Sequence, residues 1–261
     1  MNKLEREMVE LLKDLKQNYG VLKVKAEFEA EGARIDEVVR LRDIATRGGV
    51  GLVIKIGGAE AKSDMFHALQ IGADCIIAPM VETAYSVKKY LDAVKDMVPK
   101  EDVEYLDIGI NIETLTGSNN TEDILNKNDI SHLKIVTVGR SDLSHSMHIE
   151  DVESKIVLEV CEKIMQSCKK KGLRCGMGGG LSPRSIEFIK YLVEKKLLDF
   201  YETRKVTFSN IHDSKENMLQ GIQKAIKFEH LWLLNKKHHY MKICDEDNPR
   251  IERLKKHIES Q

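Results

Sequence analysis

A closed barrel of parallel strands wrapped by helices is the fold this sequence predicts, on three observations. Apolar runs of strand length alternate with longer amphipathic segments, seven times along the 261 residues, and such alternation implies parallel strands joined by helical crossovers. Polar and charged residues gather at the C-terminal ends of the runs, in EFEAEG, KIGG, PMVE, IET, GRSD, GMGGG and ETRK. A barrel brings all such ends to one mouth, whereas an open doubly wound sheet would concentrate them at one switch point. Only four prolines occur and no Gly/Ser-rich linker interrupts the chain, so one barrel domain of the usual ~250 residues accounts for the length. The expected class is α/β, a TIM-type (β/α)8 barrel with an extra N-terminal helix and a C-terminal helical extension.

In residues 1–20, Leu4, Met8, Leu11, Leu12 and Leu15 recur at helical spacing between charges, and Gly20 closes the helix. The barrel core is expected over 21–215. VLKVKAEFEAEG precedes a helical RIDEVVRLRDIATRGG, VGLVIKIGG precedes AEAKSDMFHALQIG, and ADCIIAPMVE precedes AYSVKKYLDAVKDMV. VEYLDIGINIETLTG leads into the short TEDILNK, LKIVTVGRSDLS into ESKIVLEVCEKIMQSCKKKG, LRCGMGGGLSP into RSIEFIKYLVEKKL, and LDFYETRKVTFSN into a helix from about Glu216. An eighth strand is not evident. Residues 216–261, rich in Lys and His and holding the only tryptophan, Trp232, are expected as helices outside the wall. Their apolar face at Leu231, Leu233 and Leu234 would be covered by the barrel or by a neighbouring subunit.

The 41 basic and 42 acidic residues cancel, so no bulk field favours nucleic acid, and the Lys-rich KKKG and NKKHHY runs belong to no recognised binding module. No apolar run reaches the ~18 residues of a membrane span, and MNKLEREMVELL is too charged for a secretory signal. A cytoplasmic location without membrane contact is expected. Five cysteines without a CxxC pair argue against a disulfide framework and against a zinc site; Cys75 is expected in the core.

Two carboxylates end strands, Glu113 in INIET and Asp142 in VGRSDLS. At one barrel mouth their hard oxygens would share a divalent ion, Mg2+ or Mn2+ rather than Zn2+, able to accept a bidentate 2-oxo acid and stabilise its enolate. The alternative is that Glu113 caps the next helix and Asp142 caps or pairs locally. In EFEAEG, Glu27, Glu29 and Glu31 fall on alternate positions of one strand face, with Lys23, Lys25 and Lys55 as natural partners; either a general base or a structural layer of ion pairs follows. In GMGGGLSPRS, Ser182 and Pro183 suit a helix start, and the glycines, Gly178 among them, would let backbone amides approach a carboxylate or phosphate. His145 and His148 read as surface or packing residues. Arg204 and Lys205 in ETRK would bind an anion or pair with Glu202.

Taken in order, VIKIGG, APMVET, INIET and TVGRSDLS resemble the citrate lyase beta-subunit and 2-keto-3-deoxy-acid (class II pyruvate) aldolase family of the phosphoenolpyruvate/pyruvate barrel superfamily, over about Lys25 to Ser146. The resemblance implies a metal-dependent carbon–carbon lyase or aldolase acting on a 2-oxo acid, with an aldehyde or acyl-CoA as second substrate. It further implies Glu113 and Asp142 as the metal ligands and a homo-oligomer, trimer or hexamer. Two departures stand out. Lys55 stands where the family has an arginine, keeping the charge but losing the planar fork, so either Arg140 or Arg204 supplies a guanidinium or the substrate differs. EFEAEG lacks the family's histidine, which leaves a glutamate such as Glu29, or a metal-bound water, to move the proton. Lys55, Glu29 and Arg140 are thus the expected catalytic residues, with Gly139, Ser141, Gly178 and Arg204 at the substrate. A CoA-thioester lyase of citrate-lyase type, or a barrel without turnover that serves in binding or assembly, are the competing expectations.

Overall fold

The computed structural model describes residues 1–127, 129–209 and 211–259. Asn210, at the end of the last expected strand, and residues 260–261 of the extension lie outside them. Eight strands close into one barrel in chain order: β1 (Val21–Glu27), β2 (Gly51–Lys55), β3 (Cys75–Ala78), β4 (Asp107–Ile112), β5 (Ile135–Gly139), β6 (Arg174–Gly178), β7 (Phe200–Glu202) and β8 (Val206–Phe208). The first seven run parallel as expected.

The eighth strand differs from a regular repeat. It pairs antiparallel with both β7 and β1, so the stretch expected as one strand, LDFYETRKVTFSN, folds back on itself as a hairpin. Thr203 makes the turn: its N–H donates to Val206 O at 2.9 Å and its hydroxyl oxygen accepts from Val206 N at 3.2 Å. The rings of Tyr201 and Phe208 stack across the hairpin, 4.9 Å between centroids.

Helices α1 (Lys3–Tyr19), α2 (Ile35–Gly48), α3 (Lys62–Ile71), α4 (Ala84–Met97), α5 (Leu115–Asn119), α6 (Thr121–Asn126), α7 (Arg140–Ser146), α8 (Lys155–Lys170) and α9 (Ile186–Glu194) follow or precede the strands, and α10 (Lys215–Asp245) and α11 (Asn248–Glu259) end the chain. Helix α1 starts with a capping box between Asn2 and Glu5 and stops at Gly20 in the left-handed region, the conformation glycine adopts without strain. Its apolar stripe packs under α10, whose own buried stripe runs from Met218 to Asn235. Leu231 and Trp232 are buried there, while Leu233 is exposed and α11 buries none of its residues.

Inside the barrel, side chains lie in layers set by the parallel register. Lys23, paired with Asp107 at 2.6 Å, and Arg174, also on Asp107, close the N-terminal end. Val53, Cys75, Ile77 and Ile135, with Phe200 against them, form an apolar belt above. Burial pushes the Cys75 thiol up to about 12, which leaves it an inert core residue. Over the belt lies a layer of buried charge that faces the C-terminal mouth.

Candidate active site at the barrel mouth

Glu113 follows β4 directly, and Asp142 lies in the first turn of α7, after the neighbouring strand β5. Because Ile112 pairs in register with Val138, these two strand ends reach the same height. Both carboxylates line one open cleft at the mouth. Neither caps a helix: α5 is capped by Thr114, whose hydroxyl accepts from Gly117 N at 3.0 Å.

Glu113 is 2% exposed. One of its oxygens accepts the Met80 N–H and the other an Asn111 amide hydrogen, each at 3.0 Å. Met80 donates from a left-handed backbone, φ 51°, a conformation that costs a non-glycine residue about 1 kcal/mol or more and that collects at functional sites. Burial raises the proton affinity of Glu113, and the charge of Asp142 adds to it, against Lys55, Met80 N–H and Asn111. Asp142 itself is exposed and has no hydrogen bond or ion pair among the described residues.

Lys55 ends β2 with its ammonium 3.0 Å from Glu29 Oε2 and 3.7 Å from Glu113 Oε1. Burial opposes its charge, but Glu113, Glu27 and Glu29 outweigh burial and hold it protonated above the usual lysine range. Glu29 Oε2 is buried and, although within ion-pair distance of Lys55, receives no aligned hydrogen bond.

The three glutamates of EFEAEG do not share a strand face. Strand β1 ends at Glu27, and a turn then sends each acid to a different cation. Glu27 meets Lys25 at 3.1 Å and Arg204 at 3.7 Å, Glu29 meets Lys55, and Glu31 meets Lys205. Lys23, expected among these partners, sits at the opposite end on Asp107. Lys25 also reaches Glu202 at 2.7 Å; despite burial, Glu202 and Glu27 keep it protonated well above the lysine range. Glu202 therefore pairs with Lys25, not with Arg204 or Lys205. Arg204 is half-exposed at the hairpin tip, and among the described residues its ion pair is the long contact to Glu27.

Arg140, expected at the substrate, is turned into the wall. It is 0% exposed and donates to Glu153 at 2.8 Å, to Gly179 O and Ser185 Oγ at 3.1 Å, while stacking over Phe188. With a further bond from Nε to Gly178 O at 3.4 Å, the guanidinium ties α7 to the loop after β6 and to Glu153 ahead of α8, and Arg140 is not among the residues that line the cleft. Gly139, Ser141 and Gly178 do line the cleft, beside Thr137, Gly179 and Leu181. Gly179 needs its positive φ of 79°, and a Cβ there would fall 2.5 Å from Ser141 N. Ser182 caps the turn after β6 by accepting from Arg184 N, as its position before Pro183 suggested. His145 and His148 are exposed and outside the cleft lining. Sequence reasoning missed Met80 and Asn111, which seat Glu113, and Ile226 and Glu229 of α10, which form the outer wall. A helix beyond the last strand carries no pattern that would announce such a role.

Residues 32–176, more than half of the chain, match the family model described as HpcH/HpaI aldolase/citrate lyase. No curated protein matches the sequence significantly. Among solved structures, an HpcH/HpaI aldolase from Desulfitobacterium hafniense DCB-2 superposes with a TM-score of 0.61 at 17% identity, over 77% of this chain and 83% of that one. The citrate synthase SbnG gives 0.60 at 15% identity over 85% and 89%. An HpcH/HpaI aldolase/citrate lyase family protein from Burkholderia cenocepacia J2315 gives 0.57 at 14% identity over 90% and 98%. At these identities the structural likeness bears on the fold alone.

Proposed function

This chain belongs to the HpcH/HpaI aldolase/citrate lyase family, and from that premise we propose that it is a divalent-metal-dependent carbon–carbon lyase acting on a 2-oxo acid of the pyruvate type. The observation that carries the reading is the pair Glu113 and Asp142 at adjacent strand ends, one buried and one without a partner among the described residues, in a cleft that also holds Lys55 and Glu29.

The residues fit a hard cation such as Mg2+ or Mn2+. Six carboxylates line the cleft against three cationic side chains, so an anionic substrate would enter an unfavourable field unless a cation came with it. No group of three His, Cys, Asp or Glu side chains is arranged to hold a metal among the described residues. Two carboxylates would leave the remaining positions to water and substrate oxygens, as Mg2+ prefers.

An ion held by Glu113 and Asp142 would supply Lewis acidity to the keto and carboxylate oxygens of the substrate. Lys55, kept protonated by its acidic neighbours, neutralises negative charge that develops on the substrate oxygen. Glu29, with an oxygen lacking an aligned donor, takes the proton from the substrate in the cleaving direction and returns it in the other. A protonated Lys55 is no amine nucleophile, so the arrangement disfavours a Schiff base. Arg204 is the cation left to receive a substrate carboxylate. The uncovered apolar residues Ile251, Leu254 and Ile258 of α11 support assembly with further copies of this chain.

Calorimetric titration of Mg2+ and Mn2+ into EDTA-stripped protein, with and without oxalate as enolate mimic, tests the reading. Oxalate should bind only to the metal-loaded protein; oxalate that ignores the metal, or absence of metal binding, refutes it.

A further inference from the structure

Lys205 has no part in the chemistry above, yet it is the most buried lysine at the mouth, 2% exposed. Lysine is among the residues least often found fully buried. Its ammonium pairs with Glu31, donates to Lys25 O at 3.2 Å and lies 5.8 Å from the centre of the Trp232 ring. Burial lowers its proton affinity, with Glu31 and Glu27 opposing. An apolar side chain would fill this place on the hairpin without that penalty. What the ammonium adds is direction.

That direction is toward the turn after β1. Backbone bonds anchor the two ends of the turn: Phe28 N to Lys55 O at 2.9 Å, and Ala33 N to Glu27 O at 3.1 Å. Between them stand Glu29, facing Lys55, and Glu31, facing Lys205. Gly32, at φ 54°, reverses the chain directly after Glu31. We propose that Lys205 is a positioning residue: its pairing with Glu31 clamps the turn to the β7–β8 hairpin and thereby holds the Glu29 carboxylate at Lys55. Both halves of the clamp lie outside residues 32–176, the segment that matches the family model. The reversed eighth strand acquires a purpose, since its tip delivers Lys205 across the barrel seam to β1. The inference rests on the reading of Glu29 as the proton-transfer group.

The test follows deuterium exchange at the methyl group of pyruvate by proton NMR in the Mn2+- or Mg2+-loaded protein, together with amide hydrogen exchange of residues 28–33 by mass spectrometry. Glu31→Gln keeps shape and removes charge; Lys205→Met removes the ammonium. Each should slow methyl exchange by roughly ten- to a hundredfold, the scale of an ångström-sized misplacement, and each should speed amide exchange in the turn. Metal affinity should stay unchanged in Glu31→Gln. Adding Glu31→Gln to Glu29→Gln should cost nothing further, because both act through one carboxylate. Additive losses, or a turn whose amide exchange is unaltered in both single variants, would overturn the clamp. A Glu29→Gln protein that exchanges pyruvate normally would instead overturn the role of Glu29. If the unaltered protein does not exchange pyruvate, the turn's amide exchange alone decides the clamp.

Discussion

Gly139 leaves the space that Glu113 fills: a Cβ built on Gly139 would overlap the Glu113 carboxylate and stand 2.9 Å from its Cβ. Glu113 follows β4 directly and Gly139 ends the neighbouring parallel strand β5, so a side chain at position 139 would compete with Glu113 for the same space. Gly139→Ala should therefore push Glu113 off its seat on Met80 N–H and Asn111. Overpacking of this kind costs about 1–3 kcal/mol, which leaves a folded barrel. Metal affinity should drop by roughly tenfold or more; calorimetry showing unchanged affinity would place the metal elsewhere.

Lys55 is shared between Glu29 and Glu113, so its replacement separates binding from turnover. Lys55→Met should leave the metal site formed, because Asn111 and Met80 still seat Glu113. Turnover should fall by about a hundredfold or more, the scale on which a lost electrostatic stabiliser acts. Oxalate affinity and pyruvate exchange, measured on the same preparation, check both halves. Normal exchange would assign the charge-neutralising role to Arg204.

The strand-then-helix rhythm and the meeting of Glu113 and Asp142 at one mouth are legible in the sequence because both depend on periodicity. Parallel strands in register raise consecutive strand ends to one height, so INIET and VGRSD announce their meeting at the mouth. The hairpin was hidden because ETRK has none of the Gly, Asn or Pro that usually mark a tight turn, and Thr203 makes the turn with its own hydroxyl. The direction of Arg140 is hidden for a related reason. It is the first residue of α7, so helix geometry rather than strand alternation aims its side chain. The glutamates of EFEAEG would share one face only if β1 ran past Glu27, where the chain in fact turns.

Arg140 tests the difference between a wall residue and a substrate contact. Among the described residues, Arg140→Met leaves the Glu153 carboxylate with the Ser185 hydroxyl, 2.6 Å away, and removes the bonds to Gly178 O and Gly179 O. Breaking a buried pair on one side costs about 3–5 kcal/mol, enough to lower the thermal midpoint by several degrees. Adding Glu153→Leu should recover part of that loss. A large fall in activity without a change in melting would return Arg140 to the substrate.

Glu5 gives the sign of the acid response. It is 1% exposed and joins three helices, accepting from Arg40 of α2, Asn235 of α10 and Asn2 N at the start of α1. Burial disfavours its charge, but Arg40, Asn2 N–H and Asn235 overcome burial and lower its proton affinity below the ordinary 4.5. Glu37, with Lys236 and Tyr240 of α10, is depressed in the same way against burial. A folded value below the unfolded one means stability that is fully present above about pH 4.5 and lost as the pH falls through the folded value. Acid should therefore loosen α10 from α1 and α2, before the barrel core itself gives way. Glu5→Gln should remove part of that pH dependence, at about 1–3 kcal/mol measured at neutral pH. Amide exchange of α10 against that of β4 and β5, followed from pH 6 to pH 3.5, gives the reading: equal loosening of helix and strands would show that the acid response lies in the charged layer of the barrel mouth instead.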